Sequence, residues 1–542
     1  MLEPFREKTF RTIWTASLFS NFGQLIQGVG AAWLMTRLSS SAEMVALVQT
    51  AIMLPLMLVA LPAGAIADMF DRRKVALVGL AAASLMALAL TLFTWTGLLT
   101  PWLLLAFCFM IGSCVAIFYP AWQASVGEQV SPEHLPAAVA LGTISYNVAR
   151  SFGPALGGLI VATLGAIAAF AANALFYLPL LLAFLFWKRM HVPSRLPPER
   201  LDRAILAGVR YVIHSPPIRI VVTRTFFSAL AGASVSALTP LVARDLLGGD
   251  AGTYGLLLGI YGVGAVLGAL GMNAVRARFK AETAARMLAL TNGGMLITVG
   301  ASHNIWMTCA AMLVAGAAWM ILVAQFNVSV QMSAPRWVTA RALACFSSAA
   351  TGGLAIGAWC WGATAGAHGT GVAMIVSGAT MMLSPLLGLL MPLSSDLPGG
   401  LELSVSSHEP EVSLPLTARS GPIILEVEYR VEMSQARDFY AAMQELRRAR
   451  LRSGMFGWIL SRDIADPELW TEQFHCPTWG DYLRQRDRAT QADRLLVEAA
   501  DAFHLGNREG RMRRRLERPF GSVRWQADTP DRHDENGRVF TA

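Results

Sequence analysis

Between residues 11 and 393 the chain repeats one pattern twelve times: about 20 mostly apolar residues, the length a helix needs to cross a bilayer, then a short polar break. The runs cover residues 11–36, 43–67, 75–97, 102–126, 137–163, 166–187, 218–243, 252–275, 284–301, 304–326, 338–363 and 369–393. Lipid offers a backbone no hydrogen bonds, so runs of this length and spacing read as spanning helices. With 54% hydrophobic and 15% charged residues, against roughly 25% charged in soluble proteins, the chain holds more apolar surface than one aqueous core could bury. The charged start, Met1 to Lys8, lacks the short apolar core of a cleavable signal, so the first run reads as a permanent helix. Cys108, Cys114, Cys309, Cys345 and Cys360 sit inside apolar runs and Cys476 stands apart; no redox or metal spacing appears, and no cofactor or metal is expected.

Charge then orients the runs, because Lys and Arg collect in cytoplasmic loops. Arg6, Lys8 and Arg11, the Arg72–Arg73–Lys74 triplet, the basic stretch from Lys188 to Arg219, Arg276 to Arg286, and Arg336 with Arg341 all fall to one side. The other side holds Arg37 and Arg244. Both termini are therefore expected in the cytoplasm of a multi-pass protein of the cell's plasma (inner) membrane. The net charge of +8 is accounted for by topology, which makes nucleic acid the weaker partner.

The runs form two related sets of six. GAIADMFDR (64–72) aligns with GALGMNAVR (268–276), and SPEHLPAAVAL (131–141) aligns with APRWVTARALA (334–344), bringing Pro132 onto Pro335. Residues 1–190 form the first half and 218–395 the second. The loop between them, 191–217, contains RLDRAILAGVRYVI, whose apolar residues recur at helical spacing and predict a short interfacial helix. A Ser, Pro and Gly-rich linker follows at 396–421. Residues 422–528 then read as a soluble α+β module in the order βαββα: a strand at IILEVEYRVEM, a helix at SQARDFYAAMQELRRARLRSG, strands at MFGWILSRD and LWTEQFHC, and one long helix at TWGDYLRQRDRATQADRLLVEAADAFH. FGSVRWQAD is available as a last strand, and the basic stretch NREGRMRRRLERP and residues 529–542 read as partly disordered tail.

Two motifs carry a resemblance. GAIADMFDRRK (64–74) has Gly64, then Asp68 four residues on, then Asp71, Arg72, Arg73 and Lys74, and resembles the signature loop of the major facilitator superfamily. Met69 and Asp71 stand where the general pattern has a basic residue and a glycine, a form similar to an exporter-like branch. YNVARSFGPALGGLI (146–160) in the fifth run resembles the Gly-Pro-x-x-Gly-Gly signature of antiporters and drug exporters through Gly153, Pro154, Gly157 and Gly158. The fourth run, FCFMIGSCVAIF, lacks the arginine that drug/proton antiporters carry there. LRSGMFGW, CPTWGDYLRQRDRATQADR and VRW are similar to the C-terminal extension of the transmembrane secretion effector family, itself ferredoxin-like and resembling antibiotic-biosynthesis monooxygenases. The resemblance implies a twelve-helix major facilitator fold, export of a siderophore-, drug- or metabolite-like molecule, and a latch at residues 64–74 in which Asp68 pairs with Arg72 or a helix N-terminus. It implies a transporter and not an enzyme, with lipid and a small molecule as partners and the module as a docking or self-association element.

Charge inside a bilayer costs about 3 kcal/mol on insertion scales, so Arg150, halfway along the fifth run, needs a reason. It shares a face with Tyr146 and Asn147 and either lines a pathway or is satisfied by neighbouring carbonyls. Asn21 and Gln24, with Gln27 and Gly28, line the same pathway or bind helices together. Arg224 lies near a helix end and reads as snorkelling. Asp68, Glu128 and Asp245 sit at run ends, and no acid falls mid-run, so coupling through a buried carboxyl has no obvious residue. His475, Cys476 and His504 fit no zinc spacing. A second reading keeps the helices as anchor for an enzyme or sensor built on the module.

Overall fold

The computed structural model describes residues 3–187 except Pro132, 201–393 except 336 and 337, 412–506 except 415 and 418, and 511–517. The linker apart from these residues, the loop at 188–200, the stretch FGSVRWQAD and the tail 529–542 lie outside the described residues. The described residues fall into two compact units, one drawn from 1–205, 220–329 and 343–395, the other from 206–219, 330–342 and 396–542.

The first unit is all helix: α1 (Lys8–Leu38), α2 (Ala42–Met69), α3 (Arg72–Trp95), α4 (Pro101–Ser125), α5 (Leu135–Phe186), then, after α6 (Leu201–His214), α7 (Pro216–Leu241), α8 (Ala251–Arg278), α9 (Ala281–Ala301), α10 (Ile305–Ser333), α11 (Thr339–His368) and α12 (Thr370–Leu390). Among the described residues, nine helices are long and apolar enough to cross a bilayer. The shortfall from twelve runs has local causes. The fifth and sixth runs are joined in the single 52-residue α5, bent where Gly165 adopts φ 83°, ψ 172° in place of a loop. The two other runs, α1 and α9, are the ones that carry Asn21, Gln24 and Gln27, and Glu282 with Arg286. The apolar core runs through small and bulky side chains alike, such as Ala31, Ala83, Phe170 and Leu238.

The second unit builds a four-stranded antiparallel sheet in the order β2-β3-β1-β4, from β1 (Ile423–Arg430), β2 (Phe456–Arg462), β3 (Leu469–Cys476) and β4 (Met512–Leu516). Strand β1 alternates Ile423, Leu425, Val427 and Tyr429 into a core shared with Phe439 and Met443 of α13 (Ala436–Arg452). The fully buried Glu472 is neutralised there: Arg450 Nε and Trp458 Nε1 donate to its carboxylate at 3.2 and 2.9 Å, and Tyr429 Oη donates at 3.4 Å. Two expectations need correction. The single long helix is two, α14 (Trp479–Arg488) and α15 (Gln491–Asp501), because Ala489 turns extended and Thr490 forms a reciprocal capping box with Asp493. The stretch read as disordered tail supplies β4, whose Arg515 pairs with Glu426 at 2.9 Å and whose Arg513 pairs with Glu428 at 3.6 Å; the charges that suggested a solvated tail have strand partners.

The same unit includes part of α6, a helix in the stretch read from the sequence as interfacial. Arg210 of α6 donates to the Gly454 carbonyl at 2.9 Å, and the Arg452 guanidinium lies 5.6 Å over the Tyr211 ring while pairing with Asp493. Burial pushes the Tyr211 phenol up to about 12, with Arg452 opposing the shift.

Candidate functional site

The signature turn is tight. Asp71 caps α3 by accepting from the backbone N–H groups of Arg73 and Lys74, at 2.9 and 3.2 Å. Its negative charge is therefore spent on the positive end of α3. Arg72 donates to Glu128 Oε1 and to the Ala124 carbonyl, both at 3.1 Å, closing over the end of α4. Arg73 donates to the carbonyls of Phe184, at 2.9 Å, and Leu185, where α5 ends. Lys74 stays exposed. Three helices of the first half are thus fastened by one basic cluster meeting the negative ends of two of them. Gly64 and Asp68 lie in the last two turns of α2, and their surroundings fall outside the described residues.

The second half has a counterpart that sequence reasoning missed. Arg224, read above as snorkelling, is 5% exposed and pairs with Glu282 at 2.5 Å. Glu282 also accepts from Arg286 Nε at 2.7 Å and from the Leu393 backbone N–H at 3.0 Å, and Arg286 donates to the Gly388 carbonyl at 3.2 Å. The cluster ties together α7, α9 and the end of α12. The 58 residues between Arg224 and Glu282 hid it.

The helix-5 signature packs the halves together. Gly153 and Gly157 lie on α1: methyl groups there would stand 3.0 Å from Leu25 Cβ and 3.1 Å from Ile26 Cα. Gly158 faces α8, where a methyl would meet the Gly255 Cα at 2.4 Å, inside any tolerable contact. The seam continues through Ala155 against Gly259 and Ser151 against Gly262. Pro154 lies half-buried beside it. Three further contacts between the halves lie toward the end of the bundle opposite the basic turn. Thr50 of α2 donates to the Ala355 carbonyl of α11 at 2.9 Å, Trp33 of α1 stacks on Tyr254 of α8 at 6.2 Å, and Arg244 donates to the Thr36 carbonyl at 3.1 Å.

The expected pathway residues fall on faces set by this packing. On α5, Ser145, Gly153 and Gly157 face α1, and Ser151, Ala155 and Gly158 face α8. At about 100° per residue, Arg150 lies between those two rows, with Tyr146 and Asn147 one turn nearer the basic end. Arg150 and Asn147 are half-buried and Tyr146 is exposed. Asn21 donates to Ser145 Oγ at 3.3 Å, so it binds α1 to α5. Gln27 is buried and accepts from Asn173. Gln24 is half-buried, and Gly28, one turn on, borders open space: no atom lies within 4 Å of where a side chain would begin. Asn21 and Gln27 are thus hydrogen-bonded to α5, and Gly28 borders open space. Arg150 lies within electrostatic range of Tyr261 on α8, a partner not foreseen from the sequence.

His475, Cys476 and His504 do not converge. His475 stacks on Phe456, His504 Nδ1 accepts from the Arg430 backbone N–H at 2.9 Å, and burial pushes the Cys476 thiol up to about 12. Among the described residues no group of His, Cys, Asp and Glu could hold a metal ion.

Comparison with known proteins agrees with this architecture. The profile of the family described as transmembrane secretion effector matches residues 1–520. The staphyloferrin A transporter of Staphylococcus aureus is 23% identical over 47% of this chain and 64% of its own length. The multidrug efflux pump Tap of Mycolicibacterium fortuitum is 26% identical over 70% of this chain and 94% of its own. Among solved structures, a bacterial homologue of the human lysosomal transporter Spinster, inward-facing and occupied, superposes with a TM-score of 0.58 at 13% identity, covering 72% of this chain and 97% of that one. With the basic turn, the glycine seam and a profile that runs through the sheet module to residue 520, the chain belongs to the transmembrane secretion effector family of major facilitator transporters, which are membrane transporters and not enzymes.

Proposed function

We propose that this protein exports a small organic molecule across the plasma membrane by alternating access, with twelve membrane crossings in two halves and both termini in the cytoplasm. The observation that carries the reading is the glycine seam along which the halves meet on α5 and α8, with Arg150 on α5 between the row that faces α1 and the row that faces α8. Counting α5 as two crossings at Gly165 and including α1 and α9 gives the twelve. The positive-inside pattern supports a cytoplasmic position for the basic turn. Relatives named for efflux and for a siderophore favour export of a siderophore-, drug- or metabolite-like cargo. The 64–74 loop acts as latch, with Asp68, Arg72 and Glu128 its charged members, and the sheet module serves docking or self-association. Lipid and the cargo are the partners; nucleic acid is not.

The test compares small molecules inside and outside cells lacking the protein, complemented with wild type or with Asp68→Asn, by untargeted mass spectrometry. A compound retained without the protein and released only by wild type is the expected result. Unchanged pools, with a chemically converted metabolite that Asp68→Asn also restores, would return the protein to the reading of a tethered enzyme.

A further inference from the structure

We infer that the cargo is an organic anion held by Arg150, and that its own charge couples export to the membrane potential. The inference rests on the exporter reading above and adds the substrate class and the driving force.

The argument begins with where charge is matched and where it is not. In the helical unit Arg72 meets Glu128, Arg224 and Arg286 meet Glu282, Arg244 meets Asp245, and Arg73 meets the carbonyl end of α5. Arg150 has no carboxylate within ion-pair distance among the described residues, although it lies halfway through a spanning segment. A guanidinium cannot shed its proton, so a half-buried one keeps its charge and its donors. On α5 Arg150 lies between the row of residues that faces α1 and the row that faces α8, within electrostatic range of Tyr261 of the opposite half. On α1, Gln24 is half-buried and Gly28, one turn on, borders open space. A fixed mid-span cation with no carboxylate partner is complementary to a carboxylate, sulfonate or phosphate on a small molecule. For a cationic drug the same site is repulsive.

The driving force follows from the sequence. No Asp or Glu stands in the middle of any spanning segment, so the core offers no carboxyl to exchange a proton for cargo. An anion leaving a cell whose interior is negative needs none. A potential of 100 mV multiplies the equilibrium ratio of a monovalent anion about 50-fold in the outward direction. Arg150 serves as counter-ion while the cargo crosses the apolar middle, and the empty site returns with the arginine fixed in the protein.

Everted membrane vesicles containing the full chain test this. A small-molecule extract of the same cells is separated by ion exchange into anionic, neutral and cationic pools. Uptake from each pool is read by mass spectrometry, with a lumen-positive potential imposed by potassium and valinomycin. Wild type should concentrate a species from the anionic pool, at least 10-fold more with the potential than without, and a lumen-acid pH gradient alone should not replace it. Arg150→Gln should lose at least 10-fold of that uptake and Arg150→Lys should keep a measurable part, with both variants melting within a few degrees of wild type. Concentration of a neutral or cationic species, or full anion uptake by Arg150→Gln, overturns the inference and leaves the exporter reading intact. Anion uptake that follows the pH gradient and ignores the potential overturns the driving force. Chain-independent uptake from all three pools removes the exporter reading and this one with it.

Discussion

Gly158→Ala is the smallest change that tests the seam. The added methyl would sit 2.4 Å from the Gly255 Cα, 2.9 Å from the Gly255 nitrogen and 3.0 Å from the Ala251 carbonyl oxygen. All three are backbone atoms of α8, so no side chain can swing aside. Relief to an ordinary contact near 3.5 Å requires α5 and α8 to part by about 1 Å. A gap of that size forfeits a quarter to a half of each neighbouring van der Waals contact, and overpacked sites of this kind cost about 1–3 kcal/mol. If the seam closes in one state and opens in another, that cost shifts the equilibrium between them by roughly 5-fold to 150-fold. A cysteine pair reads the shift directly: a side chain at Gly252 would begin 3.8 Å from the Ala162 Cβ, within the range a disulfide bridges. Ala162→Cys with Gly252→Cys should cross-link readily in otherwise wild-type protein, measured against each single cysteine. Adding Gly158→Ala should cut the cross-linked fraction at least 5-fold. An unchanged fraction in a protein that still folds would refute the account of the seam.

Other outcomes are equally definite. Arg224→Ala leaves Glu282 with Arg286 alone in a mostly buried site and should lower the stability of the purified protein by about 3–5 kcal/mol in thermal denaturation, with Arg224→Ala plus Glu282→Gln recovering part of it. Arg73→Ala removes donors from the end of α5 and should cost only about 0.3–1 kcal/mol, read by the same melt. The Tyr211 phenol keeps its proton in the fold up to about 12, against 10 for an ordinary tyrosine. Stability from this site is thus complete below pH 10 and declines as pH rises from 10 to about 12, a loss Tyr211→Phe should abolish in alkaline melts. Asp463 accepts from the backbone N–H groups of Ala465 and Asp466, which hold its carboxyl below the usual range. Its contribution is present above that range and lost on acidification through its lowered pKa, so Asp463→Asn should flatten the acid limb of the module's pH profile.

What the sequence made legible was whatever depends on near neighbours. Runs of about 20 apolar residues marked the helices because lipid admits little else, and the alternation in IILEVEYRVEM marked β1. The turn at Gly165 and the stop at Gly454, with φ of 101°, were visible as glycines at the ends of periodic stretches. The errors share a cause. Arg513 and Arg515 looked like tail because their partners Glu428 and Glu426 lie more than eighty residues earlier. Arg224 looked free to reach water because Glu282 belongs to another helix. The hydrogen bonds that tie Asn21 and Gln27 to α5 could be seen only after α5 had been placed against them. The break at Thr490 is different: its Thr-x-x-Asp cap was in the sequence, but continuous amphipathic spacing outweighed it.

The meeting of Gly158 with Gly255 has a mechanical side as well. Helices usually engage through ridges of side chains seated in grooves, and one can move past another only by lifting a ridge clear. Main chain laid on main chain has no ridge to lift. Such a contact behaves like a smooth bearing: the two surfaces can roll while staying in touch, with little activation energy from interlocking teeth. The same smoothness denies a foothold to any molecule that would jam it, because a compound needs a concavity to be gripped and this surface has none of its own making. Resistance to wedging and ease of rolling would then come from one property, the absence of anything beyond the α-carbon.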